Sequence, residues 1–168
     1  MRFGFCFVLG CVFLSGCAGY RLGPTNGMAA GSRSIQVNLF QNKTFEPRLT
    51  EAVGTSLRRA LQQDGTYRLN TQGEGDLVVN GVLTGYERVG LSLQPRDILT
   101  ARDFELRLHA YVTVVERGTA RTILDRDVQG RTTLRPGADF SSAERQAVPL
   151  LAEDLARNIT SLLTEGSW

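Results

Sequence analysis

The chain has 168 residues and a formal net charge of +2, so it is long enough for one domain with a substantial core and is not a strongly basic nucleic-acid-binding protein. Its single histidine, His109, excludes His/His metal pairs and makes a Ser/His or Cys/His catalytic site a poor expectation. A secreted hydrolase would need a nucleophile and a base, and no such pair can be assembled. We therefore expect no enzyme, no cofactor, no metal site and no nucleic-acid partner.

The first segment of the chain has the features of an export signal. Arg2 is followed by an apolar run from Phe3 to Leu14, which is too short to span a bilayer as a helix. The segment Leu14-Ser15-Gly16-Cys17 then resembles the lipobox of bacterial lipoproteins, whose cysteine sulfur takes a diacylglyceryl group before cleavage. We expect a signal peptide over residues 1–16 and lipid attachment at Cys17, since two or three acyl chains anchor a protein durably. An ordinary signal peptide with a chance cysteine is the alternative.

Residues 17–34 are rich in Gly, Ser, Pro and Asn and show no apolar period, which predicts a lipidated flexible tether. Cys6 and Cys11 leave with the signal peptide, so no cysteine remains for a disulfide. Residues 35–168 then form a single domain.

The domain begins with a predicted strand over residues 35–41, in which Ile35, Val37 and Leu39 alternate with polar residues. Pro47 fits the first position of the helix that follows. Gly65 is suited to end that helix. Its apolar stripe consists of Leu49, Val53, Leu57, Ala60 and Leu61.

Three strands are predicted next. The first, Leu77 to Tyr86, contains Gly81 and Gly85 and should bend or carry a bulge. The turn Gln94-Pro95-Arg96-Asp97 separates it from the clearest strand of the chain, which has one apolar and one polar face. A fourth strand runs from about Arg121 to Leu134. The apolar face of the clearest strand comprises Phe104, Leu106, Leu108, Ala110, Val112 and Val114.

The last helix is predicted to open at a capping box formed by Ser141 and Glu144. Pro149 should either kink this helix or mark its true start. Both helices carry a single apolar stripe. We therefore predict an α+β fold in which two helices pack on one face of a four-stranded mixed sheet, in the order β-α-β-β-β-α, and leave the polar face open.

The sequence resembles the LptE family of lipopolysaccharide-assembly lipoproteins over nearly the whole mature chain, because several short motifs occur in the same order. These motifs are Cys17-Ala18-Gly19-Tyr20-Arg21-Leu22, Ile35-Gln36-Val37, Phe40-Gln41-Asn42-Lys43-Thr44, Pro47-Arg48-Leu49 and the strand Phe104-Glu105-Leu106 after a basic loop.

The resemblance implies a lipoprotein of the cell outer membrane, on its periplasmic side, that plugs the lumen of the LptD barrel protein and helps deliver lipopolysaccharide to the surface. It also implies lipopolysaccharide binding by basic residues near the loop between the second and third strands, here Arg88, Arg96 and Arg102. A guanidinium group can hold a phosphate through charge-assisted hydrogen bonds. A solvated arginine that only keeps the loop soluble is the alternative for Arg96, which lies at the expected loop tip.

A second class of protein shares part of this pattern. Lipoprotein activators of peptidoglycan synthases also combine a lipobox, a tether and a strand-helix opening with a Phe-x-Asn-x-Thr motif, here Phe40 to Thr44. Long central strands joined by a basic loop, without a remnant of a nucleotide-binding site, favour the assembly factor.

Overall fold

The structure is a computed structural model that describes residues 29–94, 97–136 and 139–165. For residues 92–94 and 97–102 it describes the backbone alone. Within these ranges, none of the helices is long and apolar enough to cross a membrane. The elements along the chain are β1 (Ser34–Val37), β2 (Gln41–Asn42), α1 (Leu49–Asp64), β3 (Arg68–Leu69), β4 (Leu77–Gln94), β5 (Asp97–Glu116), β6 (Thr122–Leu134) and α2 (Phe140–Glu165).

The strands form one mixed sheet in the order β3-β1-β4-β5-β6, and β2 pairs with β4 beyond the end of β1. The strand β1 is parallel to β4, while β4, β5 and β6 are consecutive antiparallel neighbours. Mixed α+β architecture with two helices is therefore as predicted. The sheet has six strands and not four, because two short strands at its edge, β2 and β3, add to the four longer ones.

The predicted first strand is divided by a change of face at residues 38–40. Leu39, expected inside, is 75% exposed, whereas Phe40 is 2% exposed. The ring of Phe40 lies over Gly81, where an added Cβ would come within 2.6 Å of three ring atoms. The missing side chain of Gly81 thus leaves room for the largest apolar side chain of this segment, and burying it outweighs continuing the strand.

The core lies between the sheet and the two helices. The predicted stripe of α1 faces it, with Leu49, Val53 and Leu57 fully buried. Gly65 ends the helix as expected, with a positive φ of 74° and its N–H bonded to the carbonyl of Leu61 at 3.2 Å. The helix starts at Leu49 and not at Pro47. From β5, five of the six predicted apolar side chains are fully buried, and Phe104 is partly buried against the core. The five are Leu106, Leu108, Ala110, Val112 and Val114.

Candidate binding site on the long hairpin

The structure describes only two of the four residues predicted to attach or bind lipid. Cys17 and Arg96 are outside the described residues. Arg102 lies within β5, between Ala101 and Asp103, close to the end of the β4–β5 hairpin, and its side chain is also outside the described part. Arg88 lies within β4, opposite Leu106. Since β4 continues to Gln94, at roughly 3.3 Å per residue Arg88 is about 20 Å from the hairpin end.

The outer part of this hairpin is a two-stranded ribbon. Phe104 of β5 pairs with Leu134, the last residue of β6, and the parallel neighbours of β4 reach only to Leu83. Among the described strands, only β4 and β5 therefore pair with each other from Leu91 onward, through several register shifts. Of the predicted basic residues, Arg102 belongs to this ribbon, while Arg88 belongs to the packed sheet.

A β-bulge determines which way Arg88 points. The pairing of β4 with β5 shifts between Leu83 and Gly85, so that Thr84 is an extra residue, as the glycines predicted. Before the bulge Leu83 faces the helices, and after it Tyr86, opposite the buried Leu108, faces them too. Because side chains alternate along a strand, Arg88 shares that face and approaches α2.

Arg88 takes part in a compact polar network with the first turns of α2. The carboxylate oxygen Oε1 of Glu144 accepts hydrogen bonds from Nε of Arg88 and from the hydroxyl of Tyr86, both at 2.5 Å. The side chain of Glu144 is 9% exposed, while that of Arg88 is 50% exposed. The guanidinium carbon of Arg88 lies 5.5 Å from the centre of the Tyr86 ring and 5.9 Å from that of Phe140. Both aromatic rings therefore help to hold the cation.

The network raises the pKa of two of its members. Burial is the main reason that the pKa of the Tyr86 hydroxyl is raised, and its hydrogen bond to Glu144 adds to the effect. The hydrogen bond to Glu144 raises the pKa of Arg88. Arg88 is therefore a fixed cation that already has a carboxylate partner, and an additional anion would reach it from its exposed side.

The role of Glu144 differs from the sequence prediction. Asp139, not Ser141, caps α2, since its carboxylate accepts the backbone N–H groups of Ser141 at 3.0 Å and Ser142 at 3.2 Å. The predicted capping box is therefore wrong. The carboxylate of Asp139, two positions before Ser141, reaches the free N–H groups, and Glu144 pairs with β4 instead.

A cavity of about 330 Å³ adjoins this network on the side of the β2–α1 loop. Lys43 and the fully exposed Phe45 come from the loop, and Arg88 comes from the sheet. Next to them, the carboxylate of Glu46 holds Arg48 through two hydrogen bonds, at 2.7 and 3.0 Å. Cations beside exposed aromatic surface can bind an anionic group attached to an apolar one.

The Phe-x-Asn-x-Thr motif shapes this loop. The side-chain oxygen of Asn42 accepts from the N–H of Thr44 at 2.9 Å and from its hydroxyl at 2.7 Å, and the Asn42 amide donates to the carbonyl of Glu46 at 2.9 Å. These are turn contacts of the kind that Asn favours. The motif therefore has a structural explanation, and sequence reasoning missed that it places Lys43 and Phe45 beside Tyr86 and Arg88.

The single histidine is separated from the polar network of Glu144. His109 lies on the sheet face opposite the helices, with Nε2 at 3.8 Å from a carboxylate oxygen of Glu87. Within the described ranges no cluster of three or more His, Cys, Asp or Glu side chains could hold a metal ion. The hairpin side of the molecule carries cations and aromatic rings, and this combination suits the binding of an anionic, partly apolar ligand.

A family model described as LptE, lipopolysaccharide-assembly, matches residues 32–163, a range that includes all six strands, α1 and nearly all of α2. No curated protein matches the chain.

Three solved structures are similar. A protein from Xanthomonas campestris has a TM-score of 0.62 and 10% identity over 86% of this chain and 91% of its own. A minor lipoprotein from Acinetobacter baumannii has a TM-score of 0.53 and 16% identity over 79% and 93%. A protein from Caulobacter crescentus described as a lipoprotein has a TM-score of 0.51 and 13% identity over 75% and 88%. At these identities the structures establish the fold alone.

Proposed function

Because the chain belongs to the LptE family of lipopolysaccharide-assembly proteins, we propose that it plugs the lumen of an LptD-type barrel in the outer membrane and assists the delivery of lipopolysaccharide to the cell surface. The observation that carries this proposal is the family match over residues 32–163, which confirms the resemblance found in the sequence. The family is a non-enzymatic lipoprotein family.

The proposed anchor is the lipid on Cys17, with residues 1–16 removed and residues 17–34 forming the predicted tether to a single domain, although Ser34 is already the first residue of β1. The support is the lipobox sequence together with the family match, which begins just before β1. An acylated cysteine at the start of such a tether would hold the domain on the periplasmic side of the outer membrane. Barrel partner and lipopolysaccharide would then both be within reach.

The proposed lipopolysaccharide-binding residues are Arg88, Arg96 and Arg102. The half-exposed guanidinium of Arg88 supports the proposal, because it is oriented by Glu144 and still open to solvent. Arg102 lies on a ribbon that no third described strand covers, and Arg96 precedes β5 in the sequence. Lipid A phosphates would pair with these guanidinium groups through charge-assisted hydrogen bonds.

Exchanging Arg88, Arg96 and Arg102 together for aspartate should weaken binding of purified lipopolysaccharide while leaving barrel association largely intact. Binding should be measured at low salt, where the electrostatic contribution is largest. Because aspartate at position 88 would lie next to Glu144, the pair Arg96→Asp and Arg102→Asp serves as a second variant that leaves the network untouched.

The matched control exchanges three exposed arginines elsewhere, Arg121, Arg126 and Arg157, for aspartate, with the same change in net charge. The proposed binding residues are wrong if the hairpin variants bind lipopolysaccharide as tightly as this control.

Depletion of the protein in cells separates the proposed function from that of a peptidoglycan synthase activator. Loss of an assembly factor should reduce lipopolysaccharide at the cell surface and alter the oxidation state of the barrel partner. Loss of an activator should instead reduce peptidoglycan synthesis with surface lipopolysaccharide unchanged, and that result would contradict the proposal.

A further inference from the structure

The two helices lie side by side and in the same direction. Arg48, at the start of α1, lines the same groove as Arg145 in the second turn of α2. At the opposite end, the hydroxyl of Tyr67, which follows α1, donates to the carbonyl of Leu163 near the end of α2 at 3.0 Å. The amino-terminal ends of both helices, where the partial positive charge of the helix dipole lies, are therefore at the same end of the pair.

A groove of about 360 Å³ separates the first halves of the helices on their solvent side. On α1, Ala52, Thr55, Ser56 and Arg59 follow one another at helical spacing and line it, and the first three are too small to fill the gap. On α2 the buried Val148 and the exposed Pro149 complete the apolar floor.

The rim of the groove is basic. Arg59 has no ion-pair partner among the residues that the structure describes, and Arg145 makes one hydrogen bond, to the hydroxyl of Ser142 at 2.7 Å, with Asp139 further away at 4.0 Å. Arg48 is held by Glu46, and Glu51 is the one carboxylate that lines the groove. In the part of the chain that the structure describes, no side chain caps the amino terminus of α1. Charge complementarity therefore calls for an acidic occupant.

Pro149 adds a hydrogen-bond acceptor to this basic rim. A proline has no N–H, so the carbonyl of Arg145, four residues earlier, lacks its usual helical donor. Arg145 and Pro149 both line the groove, one above the other on the same face of α2. This carbonyl is left for a donor from outside the helix, such as a backbone N–H of a bound peptide.

We propose that the groove between α1 and α2 docks an acidic, partly apolar peptide segment of a partner protein. Small apolar side chains of the segment would cover Ala52, Val148 and Pro149. Its carboxylates would pair with Arg59 and Arg145, and a backbone N–H would donate to the carbonyl of Arg145. The groove lies on the helical side of the molecule, so the inference does not depend on lipopolysaccharide binding by the hairpin.

The test uses the purified full-length lipoprotein in detergent and a blocked, fluorescein-labelled peptide that repeats Glu-Leu-Ala three times. Binding is followed by fluorescence anisotropy at low salt, and a second peptide with glutamine in place of glutamate reports the contribution of charge. Arg59→Glu combined with Arg145→Glu should weaken binding of the acidic peptide by about tenfold or more. The matched control, Arg121→Glu with Arg126→Glu, should stay within about twofold of the wild-type protein.

Thr55→Trp provides a variant that fills the groove without changing any charge, and it should also weaken binding of the acidic peptide. If circular dichroism shows that the double groove variant is unfolded, Thr55→Trp alone tests the proposal. The proposal is overturned if the acidic peptide binds the groove variants and the control equally well. It is also overturned if lipopolysaccharide micelles, and not the peptide, require Arg59 and Arg145, because the groove would then be a lipid site.

Discussion

At the scale of single residues, the hydrogen bonds of Glu144 link the amino-terminal half of α2 to the centre of the sheet. One carboxylate oxygen accepts hydrogen bonds from both Arg88 and Tyr86, which lie on β4 just after its bulge. Burial makes these bonds costly to remove, because the Tyr86 hydroxyl would lose its acceptor in a half-buried place.

Glu144→Ala should lower the free energy of unfolding by about 1–3 kcal/mol, the usual cost of leaving a buried polar group unpaired. Urea unfolding measures the change. Glu153→Ala on the exposed face of the same helix is the control and should have little effect. Equal urea midpoints for the two variants would show that the network does not stabilise the fold.

The carboxylate of Asp76 makes the stability of the fold depend on pH. Oδ2 of Asp76 accepts the backbone N–H and the hydroxyl of the buried Ser34, both at 2.7 Å, and these bonds lower the pKa of Asp76 below its ordinary 3.8. At pH values near the folded and unfolded pKa of Asp76, the folded protein therefore binds fewer protons than the unfolded chain. The stabilisation is present above the unfolded pKa and is lost as the pH falls through the lower folded value.

Asp76→Asn keeps an acceptor for Ser34 but cannot titrate. Its free energy of unfolding should therefore fall less steeply than that of the wild-type protein between about pH 4 and pH 2. Glu74→Gln, an exposed neighbour, is the control. Identical pH dependence in Asp76→Asn and the wild-type protein would contradict the assignment to Asp76.

At the scale of elements, α2 is held close to the edge strand β6. A Cβ at Gly130 would lie only 2.7 Å from the backbone nitrogen of Leu155, so the helix and strand backbones approach as closely as glycine permits. Asp154 accepts the N–H of Arg131 at 2.9 Å, and Asn158 donates to the carbonyl of Gln129 at 2.8 Å. Side chains of α2 thereby occupy edge groups of β6 that would otherwise be free to pair with another strand.

The two faces of β5 give the sharpest test at this scale. Leu108→Asp puts a carboxylate among fully buried apolar side chains and should unfold the domain, at a cost of several kcal/mol against a total stability of roughly 5–15 kcal/mol. Arg107→Asp, on the opposite face, removes an ion pair with Glu105 and should be tolerated. Thermal unfolding followed by circular dichroism compares them, and equal melting temperatures would show that the faces are misassigned.

At the scale of the whole molecule, the helices cover one side of the sheet, and the long hairpin continues beyond it. The outer ribbon of this hairpin is part of the proposed lipopolysaccharide-binding region, and the groove between the helices is the proposed peptide site. Membrane attachment is proposed at Cys17, which lies outside the described residues.

Cys17→Ser should release the protein from the membrane while the domain keeps its fold, because the proposed acyl chains would provide the anchor and Cys17 has no expected place in the core. Fractionation of cells that lack the barrel partner measures attachment, and circular dichroism measures folding. Wild-type protein should sort to the outer membrane, since Ala18 stands where an inner-membrane retention signal would place aspartate. Normal outer-membrane levels of Cys17→Ser protein in these cells would contradict lipid attachment.

The sequence alone determined the features that depend on local periodicity and on short motifs. The apolar stripe of α1, the two faces of β5, the irregularity near Gly85 and the family were all predicted correctly. These signals are readable because side chains three or four residues apart share a helix face and alternate residues share a strand face.

Only the tertiary structure decided the features that join distant parts of the chain. Tyr86 and Glu144 are 58 positions apart, and Phe40, between β1 and β2, covers Gly81 of β4. No local pattern shows that Glu144 leaves its predicted cap for β4, that the first strand divides at Phe40, or that small residues on α1 face Pro149 across a basic groove. Each of these depends on which surfaces pack together, and that choice is made by burial over the whole core.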